Sequence, residues 1–186
     1  MVRLLIMTIG KTHSGKTTFA RKLEQRLSNS VVIDQDNHSG FINTYYRKIV
    51  PTSGENTLKH KVTQAIVEHA AKQTDSHLIL CNANRGRTER AQILESFRKQ
   101  GFTAVMVYFD LPDALLMERV RNSTRSKAIF RSASSFEEVL LRQQKQSDDP
   151  NLSAPSEHEA DHVLTVTDSA ELEAVLDRIV DLASQM

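Results

Sequence analysis

The sequence predicts an α/β fold in which helices cover both faces of a parallel sheet. Three observations favour this class: short apolar runs of strand length recur, helical patterns separate them, and the runs are apolar at nearly every position. A strand that is apolar on both faces is buried on both faces, as in a parallel sheet between two layers of helices. The alternation of strand and helix therefore predicts a three-layer α/β/α architecture with right-handed crossovers.

Five strands and seven helices follow from these patterns in chain order. Runs rich in β-branched or bulky residues predict strands at Leu4–Ile9, Val31–Ile33, Leu78–Cys81, Val105–Phe109 and Val163–Val166. Helical patterns predict helices at Thr17–Leu27, around Phe41–Ile49, and at Leu58–Lys72, Thr88–Gln100, Pro112–Arg121, about Ser135–Gln146 and Ala170–Leu182. The last helix carries apolar residues at i, i+3, i+4, i+7 and i+8, which form one stripe for docking on the sheet.

The length of 186 residues predicts one compact domain, residues 1–186. Inside it, the stretch from Arg121 to Arg131 is basic and nearly free of large apolar residues, so it cannot be a sheet strand. We expect this stretch and the helix after it to form a mobile lid, called here the lid segment (about residues 121–147). Residues 147–159, which contain prolines and acidic residues, are expected to connect the lid segment to the final strand.

Charge and composition argue against several partners. The chain has 24 Lys and Arg against 23 Asp and Glu, a net charge of +1, which predicts no general attraction for nucleic acid or anionic membrane. It has no Trp and 5% aromatic residues, which disfavours a base-stacking surface. A single cysteine, Cys81, and a short initial apolar run indicate a cytoplasmic protein without a membrane partner. The sequence leaves the oligomeric state open.

The first strand leads directly into a phosphate-binding motif. The stretch from Gly10 to Thr17 reads GKTHSGKT, which is G-x-x-x-x-G-K-[ST], and a helix follows it at once. The glycines let backbone N–H groups converge on phosphate oxygens, and the first helical turn adds further donors. Lys16 supplies positive charge to the β- and γ-phosphates, and Thr17 offers a hydroxyl to Mg²⁺. The expected cofactors are ATP and Mg²⁺, and the expected nucleotide contacts are Gly10, Thr12, His13, Ser14, Gly15, Lys16, Thr17 and Thr18.

For His13 and Ser14, a plainer interpretation is a solvent-facing histidine and a small residue that allows tight curvature.

Two aspartates follow the second strand, on the side of the sheet where ligands bind in open α/β folds. We assign Asp36 as the base that accepts the proton of an attacking hydroxyl, and Asp34 as a group that holds magnesium through water. The alternative is that one aspartate caps a helix and the other is solvated.

An ordered set of motifs gives the chain a specific resemblance. The phosphate loop, the D-x-D at Asp34, the N-x-N at Asn82, the F-D-x-P at Phe109 and the R-N-x-x-R at Arg121 occur in the order found in small P-loop kinases. Within them the chain is most similar to the family of polynucleotide kinases and zeta-toxin-like kinases. The resemblance implies a five-stranded parallel sheet of order 2-3-1-4-5 and transfer of the γ-phosphate of ATP to a hydroxyl. By this resemblance Asp36 matches the catalytic aspartate, and Arg121 and Arg125 match lid arginines that meet the nucleotide phosphates.

Phosphoryl transfer needs positive charge around the equatorial oxygens, which a closing lid can deliver. The basic cluster comprises Arg119, Arg121, Arg125, Lys127 and Arg131, among which we favour Arg121 and Arg125. Arg119 is instead expected to flank the adenine.

After the third strand stand the candidate acceptor residues Asn82, Asn84, Arg85 and Arg87; the alternative is that Asn82 caps the next helix and the arginines are solvated. The polynucleotide kinases carry an acidic residue in place of Asn82 and an arginine in place of Ser39, which weakens a nucleic acid acceptor. The leading hypothesis is therefore an ATP-dependent kinase of a small hydroxylated molecule. A nucleotide-binding regulatory module without phosphotransfer, or a kinase of 5′-hydroxyl nucleic acid ends, is the alternative.

Overall fold

The computed structural model describes residues 2–131 and 133–185; Met1, Met186 and Ser132, which falls in the predicted lid, lie outside the described residues. Five parallel strands form one sheet in the order β2-β3-β1-β4-β5, as the resemblance implied. The strands are β1 (Arg3–Gly10), β2 (Ser30–Asp34), β3 (His77–Cys81), β4 (Phe102–Phe109) and β5 (His162–Val166). The expected α/β fold class and strand order are thus confirmed.

Seven α-helices lie in the described ranges, and none is long and apolar enough to cross a membrane. They are α1 (Lys16–Arg26), α2 (Gln35–Tyr45), α3 (Thr57–Gln73), α4 (Arg87–Arg98), α5 (Asp113–Arg121), α6 (Phe136–Lys145) and α7 (Leu172–Ser184). Short 3₁₀ turns occur at Arg47–Ile49, Lys127–Ile129, Pro150–Leu152 and Ser169–Glu171.

Alternate residues of β1 build the two halves of the core, because successive side chains of a strand point to opposite faces. Leu4 and Ile6 pack in the cluster that contains buried residues of α1 and α7. Leu5, Met7 and Ile9 pack in the cluster that contains buried residues of α3 and α4. The central strand is therefore packed on both faces.

Helix α2 differs from the helix expected around Phe41–Ile49. It begins at Gln35 because the Asp34 side chain caps it, accepting a hydrogen bond from the Asp36 N–H at 2.9 Å. It ends at Tyr45, and the chain then forms the separate turn Arg47–Ile49. This earlier start places Asp36 in the first turn of a helix.

The lid segment is anchored to helix α5 by a small apolar cluster. Leu116 and Val120 of α5 pack with Phe136 and Leu140 of α6, and all four are buried. On its other side, the Asn43 amide of α2 donates hydrogen bonds to the carbonyl oxygens of residues 128 and 130, at 2.8 and 3.3 Å. The lid segment therefore spans from α5 to α2 over the carboxyl edge of the sheet.

A buried ion pair fixes the loop after β3. The Arg90 guanidinium of α4 pairs with Glu159 at 2.9 Å and is 1% exposed. It also donates hydrogen bonds to the carbonyl oxygens of Asn84, Arg85 and Ser153. This one side chain joins the loop after β3 to the connection before β5.

Candidate active site

A cleft of about 900 Å³ runs along the carboxyl edge of the sheet. Its walls come from the segments that follow each of the five strands and from the lid segment. These loops meet because the carboxyl ends of parallel strands share one edge, which is where ligands bind in open α/β folds.

The loop between β1 and α1 depends on its two glycines in different ways. Gly10 has φ of 150°, and a Cβ there would lie 2.9 Å from the Phe109 carbonyl oxygen and 3.0 Å from the Ser14 Oγ. Its N–H donates to the Ala83 carbonyl at 3.0 Å, so Gly10 allows the close approach of strands and does not offer its N–H to the cleft. Gly15 has φ of 100° and is the N-cap of α1. The cleft-lining part of the loop is the stretch Thr12, His13, Ser14, Gly15, Lys16, Thr17 and Thr18.

The Lys16 ammonium is held inside the loop. Its Nζ donates to the Lys11 carbonyl oxygen and to the Ser14 Oγ, the latter at 3.1 Å. Burial lowers the pKa of Lys16 to about 8, while the nearby Asp36 and Asp34 carboxylates act in the opposite direction. A phosphate group in the loop would supply an anionic partner for this desolvated cation.

His13 joins the loop to the lid segment. Its Nε2 lies 2.7 Å from the Ser123 Oγ, and its ring contacts the Phe136 ring edge-on with the centroids 4.7 Å apart. Next to it, the Thr12 N–H donates to the Gln143 Oε1 at 2.7 Å. Burial, and then the charge of Arg125, lowers the pKa of His13, which favours the neutral imidazole. In this structure His13 packs against the lid segment and is only partly exposed.

The two aspartates after β2 occupy different environments. Asp34 is 3% exposed and caps α2, and burial raises the pKa of its carboxyl. Asp36 is half-exposed in the cleft, and its Oδ2 accepts a hydrogen bond from the Arg125 Nη2 at 2.7 Å. Both aspartates therefore line the cleft, but Asp34 is buried and caps α2, whereas the Asp36 carboxylate is half-exposed.

The predicted arginines separate into two groups. Arg125 and Arg119 line the cleft, and Arg119 donates to the His13 carbonyl oxygen at 3.2 Å and to the Ser169 Oγ at 2.7 Å. Arg121 is exposed and is not a cleft-lining residue. Arg119 and Arg121 are two positions apart on α5, about 200° around the helix axis, so they cannot share a face.

Two lid-segment residues that the sequence reasoning missed also line the cleft. Arg142 and Gln143 lie on α6, one turn after the cleft-lining Val139. They follow Val139 by three and four positions, and this helical spacing is the sequence signal that could have identified them. The remaining basic residues lie elsewhere: Lys127 is exposed, and Arg131 donates to the carbonyl oxygens of Pro51 and Gly54.

The residues after β3 have mainly structural contacts. Asn82 lines the cleft, whereas the Asn84 amide donates to the Thr8 carbonyl oxygen at 2.9 Å and Arg85 donates to the Gln143 carbonyl oxygen at 3.0 Å. Arg87 is exposed, and the N-cap of α4 is Gly86 rather than Asn82.

Cys81 lies at the end of β3, beside the phosphate loop. Its thiol donates to the Thr17 Oγ1 at 3.7 Å, and burial raises its pKa to about 11. Burial therefore disfavours the thiolate form that a nucleophilic cysteine needs.

The strand order gives the cleft two ends on either side of the phosphate loop of β1. Residues associated with β4 and β5 form one end, called here the β5 end: Leu111, Arg119, Val166, Ser169 and Leu172. Residues of α2, α3 and the lid segment form the other, called the β2 end: Asp36, Ser39, Lys59, Ile129 and Phe130. The sequence reasoning did not identify Ser39 or Lys59 as cleft residues for a small acceptor.

The donors around the loop fit a magnesium ion that keeps most of its water. Within residues 2–131 and 133–185, no group of three or more His, Cys, Asp or Glu side chains could hold a metal. Mg²⁺ needs only one or two protein ligands when phosphates and water supply the rest. Thr17 and Asp34 both line the cleft, and the Asp36 N–H engages only one oxygen of Asp34.

A phosphate loop between the central strand and its helix, at the carboxyl edge of a 2-3-1-4-5 sheet, defines a P-loop nucleotide-binding fold. A family model described as an AAA domain matches residues 5–150, which is most of the chain. The chain therefore belongs to this AAA-domain family. No curated protein sequence gives a significant match.

Solved structures share the fold over almost the whole chain, and a gluconokinase and an APS kinase are among them. Kti12 of Chaetomium thermophilum, in complex with ADP-AlF3, has 19% sequence identity and a TM-score of 0.62, over 95% of this chain and 97% of Kti12. A gluconokinase of Sinorhizobium meliloti has 17% identity and a TM-score of 0.59, over 97% and 95%. The APS kinase of Mycobacterium tuberculosis, in complex with AMPPNP and APS, has 18% identity and a TM-score of 0.58, over 99% of each chain. The predicted resemblance to small P-loop kinases is confirmed.

Proposed function

We propose that this protein is an ATP-dependent kinase that transfers the γ-phosphoryl group to a hydroxyl of a small molecule. One observation carries the proposal: Asp36 and Arg125 meet at 2.7 Å in the cleft that the phosphate loop lines. In this proposal they are the proton acceptor and the cation for the transferred group, and they share the cleft with the phosphate loop. A nucleotide switch needs no carboxylate at that point.

Asp36 acts as the base in this proposal. It accepts the proton of the acceptor hydroxyl while that oxygen forms a bond to the γ-phosphorus. The bond from the γ-phosphorus to the β,γ-bridging oxygen breaks, and ADP leaves with the electron pair. Asp36 is suited to this because it is half-exposed to the cleft, whereas Asp34 is buried and used as a helix cap.

Charge on the transferred group is stabilised from several sides. Lys16 and the first turn of α1 hold the β- and γ-phosphates, and Arg125, with Arg142 of the same lid segment, faces the equatorial oxygens. Mg²⁺, when bound through Thr17 and water on Asp34, would neutralise charge on the β- and γ-phosphate oxygens. The nucleotide base would lie at the β5 end, between the apolar Val166 and Leu172 and the Arg119 guanidinium.

The lid segment, about residues 121–147, is proposed to close over bound nucleotide within a single domain of residues 1–186. Its contacts to the loop, Thr12 to Gln143 and His13 to Ser123, are the ones that opening would break. Closure excludes water, so that the phosphoryl group goes to the acceptor rather than to solvent. Arg121 remains a predicted lid arginine that this arrangement does not use.

Asp36→Asn tests the proposal directly. A panel of hydroxylated metabolites is incubated with γ-labelled ATP and Mg²⁺, with a 5′-hydroxyl oligonucleotide as a separate sample. We expect phosphorylated product from the wild type, a fall in kcat of about 10²- to 10⁴-fold in Asp36→Asn, and a nearly unchanged affinity for ATP. Asp110→Asn is the matched control, because Asp110 follows β4 at the same sheet edge but does not line the main cleft.

Normal turnover in Asp36→Asn would show that another group is the base. ATP binding without labelled product from any metabolite would favour the regulatory module. Product from the oligonucleotide alone, with affinity that falls steeply with salt, would favour a nucleic acid kinase.

A further inference from the structure

We propose that the acceptor carries an anionic group, a carboxylate or a phosphate, and that Lys59 binds it at the β2 end of the cleft. This inference rests on the proposed function and adds the chemical class of the acceptor. Lys59 belongs neither to the phosphate loop nor to the pair Asp34 and Asp36, and it is not one of the lid arginines.

The position of Lys59 is fixed by the start of α3. The Asn56 side chain caps this helix and accepts a hydrogen bond from the Lys59 N–H at 3.2 Å. One turn later, the Thr63 Oγ1 lies 2.8 Å from the His38 Nδ1 of α2. Because residues four apart share a helix face, Lys59 lies on the face of α3 that is turned to α2 and the cleft.

Lys59 is a partly buried cation without a contacting carboxylate. Among the residues that the structure describes, it forms neither an ion pair within 4.0 Å nor a side-chain hydrogen bond. Burial lowers its pKa; Asp36 acts in the opposite direction, and Arg131 adds to the lowering. The nearby Asp36 is engaged by Arg125 instead. A desolvated ammonium is costly unless an anion contacts it, and an anionic ligand would supply that contact.

The residues around Lys59 indicate which kind of acceptor would bind at the β2 end. Ser39 lies three positions after Asp36 on α2, so both face the same part of the cleft, and Ile129 and Phe130 close it from the lid segment. A hydroxyl at Asp36 and a negative group at Lys59 can belong to one small molecule, since both residues line the same end. A neutral polyol would leave the ammonium without an anion.

The inference is tested by comparing the affinities of matched neutral and anionic compounds. The protein is saturated with AMPPNP and Mg²⁺, so that binding is measured without turnover. The pairs are glycerol with glycerate, glycerol with glycerol phosphate, ribose with ribose 5-phosphate, and adenosine with its 5′-monophosphate. Ligand-observed NMR reports binding of each. We expect at least one anion to bind the wild type about 10- to 100-fold more tightly than its neutral partner.

Lys59→Met is expected to remove this preference, and Lys59→Arg to restore part of it because the charge is kept. Lys61→Met is the control, since Lys61 is exposed on the same helix and outside the cleft. Carboxylates and phosphates are separate arms, so the preferred anion is identified.

Equal binding of neutral and anionic partners, anion binding that persists in Lys59→Met, or no anion binding to the wild type would overturn the inference. None of these outcomes requires the kinase proposal to fail, because that proposal is judged by labelled product and by Asp36→Asn. In turnover, Lys59→Met is expected to raise the KM for an anionic acceptor about 10- to 100-fold while the KM for ATP changes little.

Discussion

The phosphate loop and the β2 end of the cleft differ in how they are built. The loop is one continuous stretch, Thr12 to Thr18, whose shape comes from backbone conformation and from a helix start. The β2 end combines single side chains from α2, α3 and the lid segment, which are far apart in sequence. Binding of a polyphosphate can therefore be encoded in one local stretch of sequence, whereas recognition of an acceptor depends on how distant segments pack.

Among variants of the phosphate loop and of the lid segment, the largest effect is expected in the loop. Lys16→Ala removes the ammonium that faces the phosphates, and we expect kcat/KM for ATP to fall by about 10²- to 10³-fold. Lys11→Ala removes a charge from the same loop, but the Lys11 side chain pairs with Asp113 at 2.5 Å and points away from the cleft, so a change within about threefold is expected. Steady-state kinetics and titration calorimetry check both variants. Equal losses in the two would mean that charge in the loop, rather than the position of Lys16, is what matters.

A second, smaller effect separates the lid arginines. Arg125→Gln removes the partner of Asp36 and a cation from the cleft, so we expect kcat to fall by about 10²-fold. Arg121→Gln is expected to change kcat less than threefold, because Arg121 is exposed and outside the cleft. Single-turnover transfer of label checks the pair. A larger loss in Arg121→Gln than in Arg125→Gln would mean that the lid segment rearranges when nucleotide binds.

A rise in pH is expected to have a smaller effect on ATP binding. The pKa of Lys16 is about 8 without ligand, chiefly because of burial, and phosphate contact raises it. Below about pH 8 the ammonium is already protonated, so ATP affinity is level; above it, binding must take up a proton. Affinity is therefore expected to fall with rising pH, by at most about tenfold per pH unit.

Calorimetry in buffers of different ionisation enthalpy measures that proton uptake directly. Lys16→Arg keeps its charge over this range and is expected to bind with no such uptake. Wild-type affinity that stays level above pH 8, with no proton taken up, would contradict the low pKa.

The sheet and the phosphate loop could be predicted from the sequence because their signals are local. The five apolar runs correspond to β1 to β5, and GKTHSGKT stands between β1 and α1. The start of α2 was missed because its first residues, from Gln35 to His38, are polar and carry no apolar stripe. The cap by Asp34 decides that boundary, and the sequence reasoning gave it only as an alternative.

The cleft residues also divide into those that a local sequence motif indicates and those that it does not. Asp36 and Arg125 were found from motifs, and the structure brings them together at 2.7 Å. Arg142 and Lys59 were not found, because a charged residue on a helix is usually solvated and only tertiary packing turns its face to the cleft. Arg121 matched a motif, but the angular step of two residues along α5 directs it away from Arg119.

The buried Arg90 gives the loop after β3 a property that matters for protein engineering. Because one guanidinium holds the carbonyl oxygens of Asn84, Arg85 and Ser153 and pairs with Glu159, the backbone there is pinned independently of the neighbouring surface side chains. Libraries that randomise Asn82 and Arg87 would therefore diversify a rigid platform. Replacing Arg90 itself would leave the Glu159 carboxylate without its ion-pair partner, and we expect the free energy of unfolding to fall by about 3–5 kcal/mol.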